Sequence, residues 1–210
     1  MNRKQHWQQI YSTKQFTEVS WYQEVPRDSL DFVKQLGVSK TAAVIDIGGG
    51  DSYFVDHLLA EGYENITVLD ISDAAINRAR LRLGTAAVKV NWIVSDVTEL
   101  DTVKKFDFWH DRAAFHFLTK QEEINGYLTV AHKHLNPSGK MVIGTFSDKG
   151  PDTCSGLPVK QYSESTLQRT LEKWFAKIHC IRAEHLTPFN TLQQFLFCSF
   201  QKLTNSYGQS

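Results

Sequence analysis

One short segment, Val44-Ile45-Asp46-Ile47-Gly48-Gly49-Gly50-Asp51-Ser52, constrains the fold more than any other part of the 210-residue chain. Buried-type aliphatics lead into an acid, then three glycines, then residues able to start a helix. This order predicts a strand, a tight turn and a helix N-terminus, where the backbone can come close to a nucleotide-like ligand. A second acid, Asp70, closes the next apolar run, Ile66-Thr67-Val68-Leu69, 20 residues beyond Gly50. A glycine turn with a downstream acid is how a doubly wound α/β fold holds an adenosine ribose by its hydroxyls.

The details of the turn narrow the ligand. A dinucleotide fingerprint needs glycine at the first, third and sixth positions; counted from Gly48, the sixth is Tyr53. A phosphate loop would end in Gly-Lys-Ser/Thr, and none follows. Asp46 and Asp51 would repel a pyrophosphate and suit a ligand with a positively charged amino acid end. S-adenosylmethionine is therefore the expected cofactor, ahead of NAD or ATP.

The same residues resemble the first motif of the class I S-adenosylmethionine-dependent methyltransferases, an acid followed by Gly-x-Gly-x-Gly, with Ser52 in place of the last glycine. Further landmarks of that family fall in order. Leu69-Asp70-Ile71-Ser72 resembles the second motif, whose acid binds the ribose hydroxyls. Val94-Ser95-Asp96-Val97 resembles the third, whose acid meets the adenine amino group. Phe106-Asp107-Phe108-Trp109-His110-Asp111-Arg112 resembles the fourth strand, and Leu135-Asn136-Pro137-Ser138-Gly139-Lys140 the turn before the fifth. Together they span residues 42–146. The resemblance implies a Rossmann-like three-layer sandwich with a seven-stranded, mostly parallel sheet closed by a C-terminal antiparallel hairpin.

The rest of the chain reads consistently. Strands are expected at 42–47, 65–70, 89–94, 106–111 and 140–146, alternating with helices at 27–36, 52–61, 73–83 and from Thr119-Lys120-Gln121-Glu122, a capping-box pattern, to about 134. Residues 147–162, with two prolines and two glycines, read as a loop over the active-site edge, and Ser163 as a cap of a helix to about 171. The β-rich segments 174–184 and 192–201 have no helix between them and can pair as a hairpin. Residues 26–210 are expected to form one methyltransferase domain, and the aromatic-rich residues 1–25 a separate segment or lid.

Composition sets the setting. The chain balances 23 basic against 23 acidic residues, so no basic excess points to nucleic acid. The N-terminus is polar and no membrane-length apolar run occurs. Three widely spaced cysteines, Cys154, Cys180 and Cys198, are expected to be free thiols of an intracellular, cytoplasmic protein, with Cys154 facing solvent. No metal-ligand spacing is present.

The resemblance carries the site residue by residue. It implies cofactor binding by Asp46, Gly48, Gly49, Gly50, Asp70, Ile71, Asp96, Val97 and Asp111. His110, Asp111 and His116, beside the fourth strand, are the candidate catalytic groups, and Arg112 is a candidate for an anionic substrate group. Trp7, Tyr11, Trp21 and Tyr22 form a candidate lid whose aromatic faces would attract a sulfonium and exclude water. The expected reaction is transfer of the S-adenosylmethionine methyl group to a small-molecule acceptor, with release of S-adenosylhomocysteine. Rival readings are a protein-lysine methyltransferase, which often carries Asp-Lys-Gly-Thr where this chain has Asp111-Arg112-Ala113-Ala114, a nucleotide-dependent oxidoreductase, and a non-catalytic cofactor-binding protein. Oligomeric state is not legible.

Overall fold

Apolar, β-branched runs build the centre of the molecule. The computed structural model describes residues 2–204; the last residues of the expected domain, 205–210, and the side chain of Phe16 lie outside those described. Strands β1 (Val44–Ile47), β2 (Ile66–Asp70), β3 (Val90–Val94), β4 (Phe106–Arg112) and β5 (Leu135–Phe146) run parallel. Two short strands after β5, β6 (Thr153–Cys154) and β7 (Leu157–Pro158), form a separate ribbon. The antiparallel pair β8 (Phe175–Leu186) and β9 (Leu192–Lys202) completes a seven-stranded sheet of order β3-β2-β1-β4-β5-β9-β8. The expected sandwich with its closing hairpin is the observed architecture.

The pleat sends alternate residues of each strand to opposite faces. Ile45, Ile47, Trp109, Met141 and Ile143 pack against helices α5 (Gln121–His134) and α6 (Glu164–Leu171). Val44, Val68, Phe108 and Val142 pack on the other side against α2 (Arg27–Gln35) and α3 (Phe54–Ala60). Each fully buried aliphatic or Phe side chain contributes roughly 1.5–3 kcal/mol through the apolar surface removed from water. Helix α4 (Asp73–Leu83) begins at Ser72, whose Oγ accepts the Ala75 N–H, as its sequence position predicts.

Several local expectations need correction. Residues 3–13 form a helix, α1, opened by a reciprocal cap in which Asn2 Oδ1 accepts the Gln5 N–H at 2.8 Å and Gln5 Oε1 accepts the Asn2 N–H. Only Trp7 and Tyr11 are buried on it, too sparse a stripe to read from the sequence. The fifth strand starts at Leu135 rather than 140, because a register shift absorbs the Asn-Pro-Ser-Gly insertion between the pairs Leu135–Phe106 and Lys140–Phe108. Helix α5 starts one residue later than expected, with Lys120 at the cap and its N–H held by Glu123.

The cysteine reading is also overturned. Cys180 and Cys198 form a disulfide, because the antiparallel register of β8 and β9 sets them directly opposite one another. Cys154 alone is free, and it is buried rather than solvent-facing.

Candidate active site

The turn after β1 is shaped by what its glycines avoid. Gly48 adopts φ +66°, and a Cβ there would lie 2.9 Å from the Ala114 Cβ. A Cβ on Gly50 would lie 2.5 Å from both the Ala75 Cβ and Asp70 Oδ2. Larger residues at either position would push the turn off the ends of β2 and β4. With no side chain in the way, the Gly50 N–H reaches Asp70 Oδ2 at 3.1 Å, and the Ser72 N–H reaches Asp70 Oδ1 at 2.8 Å. Asp70 is only 3% exposed. Burial pushes its pKa up to about 7; the two backbone donors oppose that rise, and Asp46 and Asp51 add to it.

A cavity opens over the carboxyl ends of the strands. Of the residues singled out in the sequence, it is lined by Gly48, Asp70, Ile71, Asp96, Val97, Arg112, Trp7, Tyr11 and Trp21. Asp96 Oδ1 caps the following turn through the N–H and hydroxyl of Thr98. Its Oδ2 lies 3.6 Å from Nη1 of Arg3, whose Nη2 is 2.6 Å from Glu123. Helix α1 thus closes over the cavity, held also by Gln8, whose Oε1 accepts from the Ser72 hydroxyl, and by Arg78, which donates to the Tyr11 carbonyl. Trp7 meets Trp21 and Phe117 edge-on, with ring centroids 5.6 and 5.0 Å apart.

The other predicted residues do not line the cavity. His110 and Asp46 are register partners on adjacent strands, so both side chains fall on the α2–α3 face. There His110 Nδ1 bonds Asp46 Oδ1 at 2.6 Å and Nε2 bonds Ser29 Oγ at 2.8 Å, all three groups buried. Asp46 Oδ2 lies beneath Gly49 and has no hydrogen-bond partner. Asp111 is fully buried on the opposite face; its Oδ1 accepts the Ala114 and Phe115 N–H groups at 3.0 Å and its Oδ2 accepts the Tyr127 hydroxyl at 2.8 Å. It thereby holds the turn in which Ala113 takes φ +67°. Burial, opposed by those donors, pushes Asp111 up to about 6.

His116 is also buried. Its Nδ1 accepts the Phe146 N–H at 3.2 Å, and burial with the nearby Arg112 charge pushes its pKa down to about 3. It is neutral at physiological pH and does not line the cavity, where a base would have to stand. Tyr22 packs edge-on to Tyr53 rather than over the cavity. Asp51, expected to discourage a pyrophosphate, is instead paired with Arg78 at 3.0 Å and Arg82 at 2.8 Å. The electrostatic bias of the turn rests on Asp46.

Arg112 lines the cavity with one hydrogen bond from Nη1 to the Trp21 carbonyl at 3.0 Å. Residues that sequence reasoning missed complete the wall: Arg3, Phe117, Phe146, Cys154, Gln193 and Phe195. Phe195 stands opposite Phe146 in the β5–β9 register, and alternation along β9 puts Gln193 on the same face. That alternation was the only available signal. Among the described residues no cluster of His, Cys, Asp or Glu could hold a metal, and no helix is long and apolar enough to cross a membrane.

Comparison with known proteins agrees with this geometry. Residues 44–139 match the family described as a methyltransferase domain. The fold overlays, at TM-score 0.79 and 20% identity over 97% of this chain and 94% of the other, a structure from work on converting a disulfide bond into a thioacetal group during echinomycin biosynthesis. It also overlays the N-methyltransferase NodS from Bradyrhizobium japonicum in complex with S-adenosyl-L-homocysteine, at TM-score 0.71 and 18% identity over 96% of this chain and 99% of that one. Among curated relatives, a malonyl-[acyl-carrier protein] O-methyltransferase of Anoxybacillus flavithermus is 29% identical over 108 residues, 50% of this chain and 39% of its own. An EEF1A lysine methyltransferase 2 of Danio rerio is 25% identical over 158 residues, 68% of each chain. The chain spans about four tenths of the length of the first of these relatives. Over residues 44–139 the chain is thus similar to a methyltransferase domain, and the order of its sheet agrees with that likeness.

Proposed function

We propose that the protein is an S-adenosylmethionine-dependent methyltransferase acting on a small-molecule acceptor. The observation that carries this reading is the cradle in which Gly50 and Ser72 aim Asp70 at the cavity floor, with Gly48 and Asp96 beside it. The residues present fit the cofactor. Asp70 retains acceptor capacity for two ribose hydroxyls beyond its two backbone donors. Asp96 and Val97 offer a carboxylate and apolar cover to an adenine, with Ile71 on the ribose side. Asp46 lies outside the cavity lining, with its buried Oδ2 beneath Gly49, and so supports the glycine turn from behind.

Bound S-adenosylmethionine supplies a methyl group on a sulfonium, already a strong electrophile. What remains for the protein is alignment and exclusion of water. Trp7, Tyr11 and Trp21 supply aromatic walls that suit a cation and keep the cavity dry. His110 positions Asp46, and Asp111 positions the Ala113–Ala114 turn that faces Gly48; neither is a proton acceptor for substrate in this reading. At the acceptor end Arg112 is protonated, and burial pushes the Cys154 thiol up to about 11. Neither group serves as a base near neutral pH, which favours an acceptor nucleophilic as it arrives, such as a neutral amine, a thiolate or a carboxylate.

A protein-lysine methyltransferase is the second reading, supported by the Danio rerio relative that matches 68% of both chains. Against it, Phe146, Cys154 and Phe195 wall the end of the cavity where a lysine-bearing peptide would need an opening. A cytoplasmic location, expected from the cysteine count, rests on Cys154 alone, since the Cys180–Cys198 disulfide does not support it.

Calorimetric titration with S-adenosylmethionine, S-adenosylhomocysteine and NAD tests the cofactor. Micromolar binding of the first two alone supports the proposal; binding of NAD alone, or of none, rejects it. Cofactor binding without S-adenosylhomocysteine formation across a panel of small acceptors would favour the non-catalytic reading, and methylation of a lysine peptide the second.

A further inference from the structure

The cavity has a second end, away from the glycine turn, whose polar groups no neighbouring side chain satisfies. The Arg112 guanidinium lies 5.3 Å from the Phe195 ring centroid. Its Nη2 is buried without a hydrogen-bond partner, and among the described residues no carboxylate lies within ion-pair distance of it. Asp28 and Asp46 act on it only at longer range. Gln193 Oε1, on the same wall, is likewise buried without a partner. Phe146 and Phe195 flank both, with ring centroids 4.9 Å apart in an edge-on pair.

A buried charge without a counterion is costly, and a guanidinium is shaped to take a carboxylate or similar oxyanion through parallel N–H donors. An unpaired cation kept in an apolar site reads as a socket whose counterion arrives with a ligand. The counterion has two sources, the carboxylate of the cofactor's methionine end or a carboxylate on the acceptor. Position favours the acceptor. Phe195 belongs to β9, three strands from β1 and its glycine turn, a lateral separation of roughly 14 Å at the usual strand spacing. Arg112 leaves β4 towards that far side.

Resting on the methyltransferase reading above, we infer that the acceptor is an aromatic or apolar small molecule bearing a carboxylate, held by Arg112 through that group, by Phe146 and Phe195 through its body, and by Gln193 through a donor substituent. The anion serves as the anchor that orients the methylated atom.

The test uses phenylacetate and phenylacetamide as matched probes on the full chain loaded with S-adenosylhomocysteine, titrated by protein-observed NMR. Phenylacetate is expected to bind about tenfold tighter than the amide, a preference that Arg112→Met removes while S-adenosylhomocysteine affinity stays within about twofold. Equal binding of the two probes to the wild-type protein, or no binding of phenylacetate up to about 20 mM, overturns the inference. So does a tenfold or larger loss of S-adenosylhomocysteine affinity in Arg112→Met, since the guanidinium would then serve the cofactor. The wild-type comparison needs no variant and holds even where Arg112→Met fails to fold. If S-adenosylhomocysteine itself does not bind, the methyltransferase reading fails; the probe preference, measured on the protein alone, still decides whether Arg112 takes an anion.

Discussion

The two ends of the cavity are built by different means. At the glycine-turn end, which we propose holds the cofactor, Asp70 ends its strand and Gly48 and Asp96 follow theirs within one or two residues, and backbone N–H groups satisfy much of the hydrogen bonding of the two acids. At the other end, Trp21, Arg112, Phe146, Cys154 and the β9 pair Gln193 and Phe195 come from five separate stretches of chain, and Arg112 and Gln193 keep buried polar atoms unpartnered. The first end is pre-formed by short-range backbone contacts. The second is left open to whatever fills it. On the proposed function, fixed recognition of one cofactor and adjustable recognition of an acceptor can reside in one cavity, because they draw on different parts of the sheet.

Substitutions at the cofactor end should have the larger effects. Gly50→Val places a Cβ into Ala75 and Asp70 and should lower S-adenosylhomocysteine affinity at least about 100-fold, near 3 kcal/mol by calorimetry. Binding within a few-fold of wild type would mean that the turn is not the cofactor's seat. Asp70→Ala leaves the ribose hydroxyls unpaired and should cost roughly 1–3 kcal/mol in the same titration. Unchanged affinity would remove Asp70 from the site.

The pH dependence of cofactor binding sharpens the comparison further. Asp70 has a raised pKa, about 7, so its proton is bound in the free protein on the acid side of neutrality. Ribose hydroxyls need the ionised form, so binding releases that proton. Affinity should therefore fall about tenfold between pH 8 and pH 6 and level off above pH 8. The sign is opposite for stability of the ligand-free protein: a carboxyl with a raised folded pKa favours folding at low pH, and that contribution is lost as pH rises through 7. A flat affinity profile in wild type, or an unchanged slope in Asp70→Asn, would assign the titration elsewhere.

The smallest effect is expected from Arg3→Ala. Its partners Asp96 and Glu123 are partly exposed, so the pairs are worth roughly 0.5–1 kcal/mol together. S-adenosylhomocysteine should dissociate about two- to fivefold faster in stopped-flow measurements if α1 acts as the closing element. No change in off-rate would leave α1 a packing element only.

The misread residues share a cause. His110 and His116 were singled out for their place beside the fourth strand, yet the pleat and the following turn send both inward, one onto Asp46 and Ser29 and the other onto the Phe146 amide. Sequence position sets which face of a strand a residue takes only once the register of its neighbour is known. Cys180 and Cys198 failed for the same reason: a spacing of 18 residues becomes a bonded pair only when β8 folds back on β9. Cap and strand signals fared better, as at Ser72 and Ser163, because both rest on hydrogen bonds within one turn of helix.

What the sequence determined by itself was the part governed by local chemistry: alternating strands and helices, the glycine turn, the acids at the ends of β2 and β3, and through them the fold and the glycine-turn end of the cavity. Tertiary structure alone decided which side chains share a space. It buried Asp46 with His110, neutralised Asp51 with two arginines, drew α1 over the cavity, and brought Arg112, Gln193 and the phenylalanines to one wall. Hydrogen bonds and propensities act over a few residues and leave a trace in the order of the chain. Burial and pairing act across strands adjacent in space, and their partners become known only once the sheet has closed.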